Sequence, residues 1–184
     1  MSYYFLIAQL PSLTYGQPAP MSSAAFVELC AGALSKADAE LLPCCVFGAE
    51  GAEAPAETAS QFINKWRERE RTLVFNLAEA RASKLKRESA GAVARDNAEA
   101  ESQAKSALAM DNPLEAELFI DKGRWDAIEA LAGVSYFGVN VIYAYLLKLR
   151  LLERRMSFKT EDGFTEYKAL YDGILERAPR AGAA

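Results

Sequence analysis

The stretch FINKWRERERTLVFNLAEARASKLKR, residues 62–87, holds no glycine or proline and interleaves dense charge with large apolar side chains. Phe62, Trp66, Leu73, Leu77, Ala80 and Leu85 recur at spacings near three, four and seven. A half-buried strand needs period two, whereas this spacing lays one apolar stripe along a long helix. Arg67, Glu68, Arg69, Glu70 and Arg71 read as a solvated face on the flanks of that stripe. Arg67 with Glu70 and Glu68 with Arg71 stand at helical spacing, each pair contributing only about 0.2–0.5 kcal/mol. Arg81, Lys84, Lys86 and Arg87 form a more one-sided basic end, suited to a helix C-terminus or an acidic partner surface. The candidate partner-binding residues are Arg67, Glu70, Arg81, Lys84 and Arg87.

The rest of the chain is read around this helix. Residues 3–10, YYFLIAQL, fit a short buried strand or a first helix. Gly16, Pro18 and Pro20 mark a loop. A helix is predicted from about Ser23 to Leu34. Ser35, three positions before Asp38, restarts one toward Leu42, which Pro43 stops. Residues 48–60 are small, acidic and Gly/Pro-bearing, and read as a linker ending in a helix N-cap at Ser60. Residues 88–110 are alanine-rich, with Gly91 as a point where the helix bends or breaks. Asn112, Pro113 and Glu115 make a strong helix start, and Gly123 divides the helical segment beyond them into two short helices. The uncharged run from Ala130 to Leu147 carries Gly133 and Gly138, so it reads as two buried segments joined by a turn rather than a membrane span. The segment VNVIYAYLLKLRLLERR is apolar nearly all round and belongs at the centre. A last amphipathic helix carries Tyr167, Leu170, Tyr171, Ile174 and Leu175. Trp66 and Trp125 read as core, with interface anchor as the rival role. Asn76 either fixes helix register or faces water.

The predicted architecture is all-α: one helical domain over 1–184, a helical bundle with a long antiparallel helical arm. Residues 1–47 form N-terminal helices, 48–60 the linker, 61–110 the arm, and 111–178 C-terminal helices packing into the core.

The chain has no histidine, three cysteines and a formal net charge of −4. Without histidine, neither a Ser-His-Asp nor a Cys-His site can be built within it, nor a histidine-ligated zinc or di-iron site. Cys30, Cys44 and Cys45 are odd in number, two of them adjacent, which describes reduced idle thiols better than a disulfide framework. No glycine-rich phosphate motif occurs. The acidic balance argues against nucleic acid as a partner. The start MSYYFLIAQLPSL lacks a basic opening and an A-x-A exit, so no signal peptide is expected. Glu115, Glu117, Asp121, Asp126 and Glu129 read as a cap and a solvated acidic face rather than a catalytic set. The expectation is no catalysis, no cofactor, no metal and no membrane insertion.

Two segments together carry a resemblance. Trp66, Arg67, Glu70, Asn76, Arg81 and Lys84, followed by Asp111, Pro113, Glu115, Asp121, Arg124 and Trp125, resemble a small bacterial family of unknown function encoded in V/A-type ATPase operons. The start YYFLIAQLPSL with LSKADAELL agrees, and the likeness runs over roughly residues 3–175. That family is regarded as a counterpart of the ATPase C subunit, called d in eukaryotes. The resemblance implies a non-catalytic helical socket between central stalk and membrane rotor, serving ion or proton transport. It also implies stalk or rotor subunits as partners and a cytoplasmic location at the inner face of the membrane. The chain is about half the size expected of a full C subunit, so it would represent one lobe or a reduced version. The competing expectation is a free-standing helical interaction module, a homodimer through residues 62–110.

Overall fold

The computed structural model describes residues 3–48, 57–85, 98–134 and 136–158, with 167, 168, 170 and 171. In chain order these residues form α1 (Tyr4–Gln9), α2 (Ser23–Ala31), α3 (Lys36–Ala39), a 3-10 turn at Leu42–Cys44, α4 (Gln61–Lys84), α5 (Ala98–Leu108), α6 (Pro113–Ala132) and α7 (Val139–Met156). No strand occurs among the described residues, and the fold is all-α. Among them, no helix is long and apolar enough to cross a membrane.

The helix starts follow local chemistry. Ser22 Oγ accepts from the Ala25 amide at 3.1 Å, and Ser60 Oγ from the Ile63 amide at 3.4 Å. Ser35 Oγ accepts from the Asp38 amide at 3.2 Å and donates to the Asp38 carboxylate at 2.8 Å. Asn112 Oδ1 accepts from the Leu114 amide at 3.0 Å, with Pro113 opening α6. Each such cap contributes about 1 kcal/mol by satisfying an amide the helix leaves over. Gly133, at φ +66°, ends α6 in a conformation other residues adopt only with strain. The turn predicted between Gly133 and Gly138 therefore separates α6 from α7.

α7 is central, as its all-round apolar sequence requires. Ile142, Tyr143, Leu146, Leu147 and Leu149 are buried in the main core with Leu6, Phe26, Phe62, Ile63, Trp66 and Ile128. A second cluster joins Leu73 and Leu77 of α4 to Ala100, Ala104 and Ala107 of α5 and Ile120 of α6. The alanines contribute little area, but they let α5 lie close against its neighbours.

Four expectations change here. The arm predicted over 61–110 appears, in its described part, as two helices packed on each other and on α6, with α4 also running through the main core. Gly91 and Arg87 lie outside the described residues. Gly123 does not divide α6, which is continuous from Pro113 to Ala132. Pro43 sits within the 3-10 turn, where its missing N–H costs nothing. Tyr167, Leu170 and Tyr171 are helical but exposed, so they do not pack into the core; Ile174 and Leu175 lie outside the described residues.

Cys45 is fully buried, and burial pushes its thiol from the ordinary 9.0 up to about 12. The unfolded chain therefore loses this proton first as the medium turns alkaline. Cys45 contributes stability that is complete below the ordinary thiol value and is lost as pH rises toward the folded value, about 2–3 kcal/mol by about pH 11. Urea unfolding at about pH 8 and about pH 11 should show that loss in the native chain and a shallower one in Cys45→Ala. Equal slopes would refute it.

Candidate functional site

Side chains at positions 66, 69, 70, 73 and 77 share one face of α4, because a helix turns once every 3.6 residues. Arg69 and Glu70 thus stand in the middle of the apolar stripe. On α6 the same spacing puts Asp121 and Arg124 between Ile120, Trp125 and Ile128. All four charged side chains are buried. This corrects the reading of residues 67–71 as a solvated face at Arg67, Arg69 and Glu70, which are buried, while Glu68 is exposed and Arg71 half-buried. It also corrects the placing of Asp121 on a solvated acidic face.

The two helices meet through these groups. Arg124 Nε donates to both Glu70 carboxylate oxygens, at 3.0 and 3.2 Å, and Nη2 donates to Oε2 at 3.0 Å. Arg124 Nη1 donates to Asp121 Oδ1 at 2.9 Å. The same oxygen takes a bond from Arg154 of α7 at 2.5 Å, and Arg154 Nη2 reaches Glu117 at 2.8 Å. Glu70 also accepts from the Gly48 amide at 3.1 Å. Beside that contact, Trp66 Nε1 donates to the Val46 carbonyl at 3.0 Å, and the Arg124 guanidinium lies 5.6 Å from the Phe47 ring centre. One network therefore ties α4, α6, α7 and residues 46–48 together.

Six ionised groups make up the network: Arg69, Arg124 and Arg154 against Glu70, Glu117 and Asp121. Their formal charges cancel, which favours burial of Arg69, Arg124, Glu70 and Asp121, while Arg154 and Glu117 stay about one-third exposed at the edge. Burial works against the charge on Arg124, but Glu70 and Asp121 outweigh it and raise its pKa. Burial lowers the pKa of Arg69, which Glu70 only partly offsets at 3.8 Å. Burial pushes the Asp121 carboxyl above its usual range against the pull of Arg154 and Arg124. Its Oδ2 is a buried acceptor with no hydrogen bond.

Gln103 of α5 completes the assembly. It accepts from Arg69 Nη2 at 2.9 Å and donates to the Ile120 carbonyl at 3.0 Å, while Arg69 also donates to the Gly123 carbonyl at 3.1 Å. A Cβ at Gly123 would stand 2.0 Å from Gln103 Nε2. Glycine in mid-helix is thus explained by the approach of a buried glutamine. Gly123→Ala gains about 1 kcal/mol of helix preference but displaces Gln103 and its hydrogen bonds, each buried group left unpaired costing about 1–3 kcal/mol. The expected result is net destabilisation of about 1–3 kcal/mol in urea unfolding. A more stable variant would show that Gln103 moves aside freely.

The predicted partner-facing residues divide. Arg67 and Glu70 are interior, and Arg81 and Lys84 are exposed, Lys84 donating to the Leu108 carbonyl at 3.5 Å. Arg81 lines a cleft of about 220 Å³ at the outer edge of the network with Arg124, Arg154 and Glu117, over Leu77 and Ile120. Arg81 makes no ion pair among the described residues. The other acidic groups of α6 have partners of their own. Asp126 pairs with Lys122, Glu129 with Lys148 and the Trp125 indole, and Glu115 with the capping Asn112. Among the described residues no three metal-ligating side chains gather. Trp66 and Trp125 are both core. Asn76 is partly buried, its amide nitrogen without a hydrogen bond.

Fold and site together define an all-α protein whose helices are joined through a buried, charge-balanced network with an arginine-lined cleft at its edge. No protein-family model matches the chain, and no curated protein or solved structure matches it either.

Proposed function

We propose that this chain is a non-catalytic helical subunit or assembly factor of a V/A-type ATPase, of the kind represented by the C/d socket between central stalk and rotor. The observation that carries the reading is a convergence. The segments bearing the resemblance lie 54 positions apart at Glu70 and Arg124, and those two residues form the centre of the buried network. Trp66, Asp121 and Trp125 belong to the same interior. Two of the residues that carry the likeness, Glu70 and Arg124, thus join α4 to α6. A part that passes torque between partners needs helices that do not shear, and a buried network resists shear because separating any pair leaves a charge unpaired. Arg81 and Lys84, exposed at the far end of α4, supply a cationic surface for an acidic partner.

The test is co-purification. A tagged chain should bring down stalk or rotor subunits from native membranes under mild extraction. Arg81→Glu with Lys84→Glu should weaken that association several-fold while leaving the fold intact. Recovery of none of those subunits would contradict the proposal.

A further inference from the structure

α1 and the turn between α6 and α7 carry an exposed apolar surface. Phe5 is 82% exposed, Val134 88%, Tyr136 74%, Tyr4 53% and Phe137 44%. The patch is preorganised. The Tyr3 amide donates to the Phe137 carbonyl at 2.9 Å, and the Tyr4 and Phe137 rings lie 4.9 Å apart. One helical turn beyond Tyr4, Ile7 and Leu10 border a groove of about 270 Å³ with Ala132 and Val141. Lys148 at that groove is committed to Glu129 at 2.8 Å.

We propose that this surface is the interface of a twofold homodimer. Two observations select a second copy as the occupant. The first is charge. All five side chains come from residues 1–27 and 130–147, neither of which contains Asp, Glu, Lys, Arg or His. A twofold interface sets like against like near its axis, so charged groups there repel; the five side chains bring none, and Lys148 at the adjoining groove is paired with Glu129. The second is area. At the exposures given, and with about 150–250 Å² per ring, the four rings present roughly 500 Å² per copy. Two copies would bury about 1,000 Å², the lower bound of a specific interface. A lipid surface fits less well, because interfacial segments use cationic side chains among their aromatics and these stretches hold none. The surface is also separate from residues 62–110, where the sequence alone placed a dimer contact.

The test is sedimentation velocity on the isolated full chain, which does not depend on the ATPase reading. From about 1 to about 200 µM the species should pass from one chain to two. Phe5→Asp and Tyr136→Asp should each raise the midpoint roughly tenfold or more, with circular dichroism unchanged, and melting unchanged at concentrations where both chains are monomeric, because both side chains stand in solvent. Leu85→Ser, at the exposed end of α4, should leave dimerisation as it is. A monomer throughout overturns the proposal, as does a dimer that survives both aspartates or is lost in Leu85→Ser. Flotation of the chain with phosphatidylcholine–phosphatidylserine vesicles, abolished by the aspartates, would assign the patch to lipid and overturn it too.

Discussion

Glu70→Ala is expected to remove about 3–5 kcal/mol of folding stability, the cost of breaking a buried ion pair from one side. Glu70 takes three hydrogen bonds from Arg124 and one from the Gly48 amide. Alanine supplies none of these and leaves the buried Arg124 guanidinium with Asp121 as its one remaining carboxylate partner among the described residues. For a domain holding about 5–15 kcal/mol in total, a loss of this size is easily seen in urea unfolding. The double replacement Glu70→Leu with Arg124→Met removes both charges while roughly keeping volume, and should restore most of the loss. If Glu70→Ala cost less than about 1 kcal/mol, water would have to reach the pair, and its role in joining α4 to α6 would fall.

Trp66→Ala should cost a similar amount, about 3–5 kcal/mol. The side chain is fully buried, and its indole packs 5.9 Å from the Phe47 ring, edge to face. Its loss opens a cavity in the main core and deprives the Val46 carbonyl of its donor. The effect should not add to that of Glu70→Ala. Both side chains hold residues 46–48, so once one has released that segment the other has less to lose, and the shortfall should reach about 0.5–3 kcal/mol. Strict additivity would mean that the two contacts act separately.

Much of the fold was legible because it depends on neighbours in the chain. Ser60 opening α4, Ser35 folding back on Asp38, Asn112 before Pro113, and the turn at Gly133 are all local chemistry. The centrality of α7 followed from its unbroken apolar run. The candidate site was half legible. Helical arithmetic places Glu70 beside Trp66 and Leu73, and Asp121 beside Ile120 and Trp125. Charge points the other way, since acidic and basic side chains are rarely buried unless paired. What could not be read was the pairing itself. Glu70 and Arg124 belong to different helices, and neither sequence window contains the partner that makes burial tolerable. Gly123 shows the same limit from the other side. Read alone, a mid-helix glycine suggests a break; only the approach of Gln103 from α5 explains why the helix continues through it.

Native-state hydrogen exchange is the most direct measure of whether the buried network makes these helices one mechanical unit. The amides of Trp66–Leu77 in α4, Ile120–Ile128 in α6 and Ile142–Leu152 in α7 should exchange only by a common opening, equal in free energy to global unfolding. A separate, lower-energy opening of α6 in the unmodified protein would contradict the account, whatever partner the chain is found to bind.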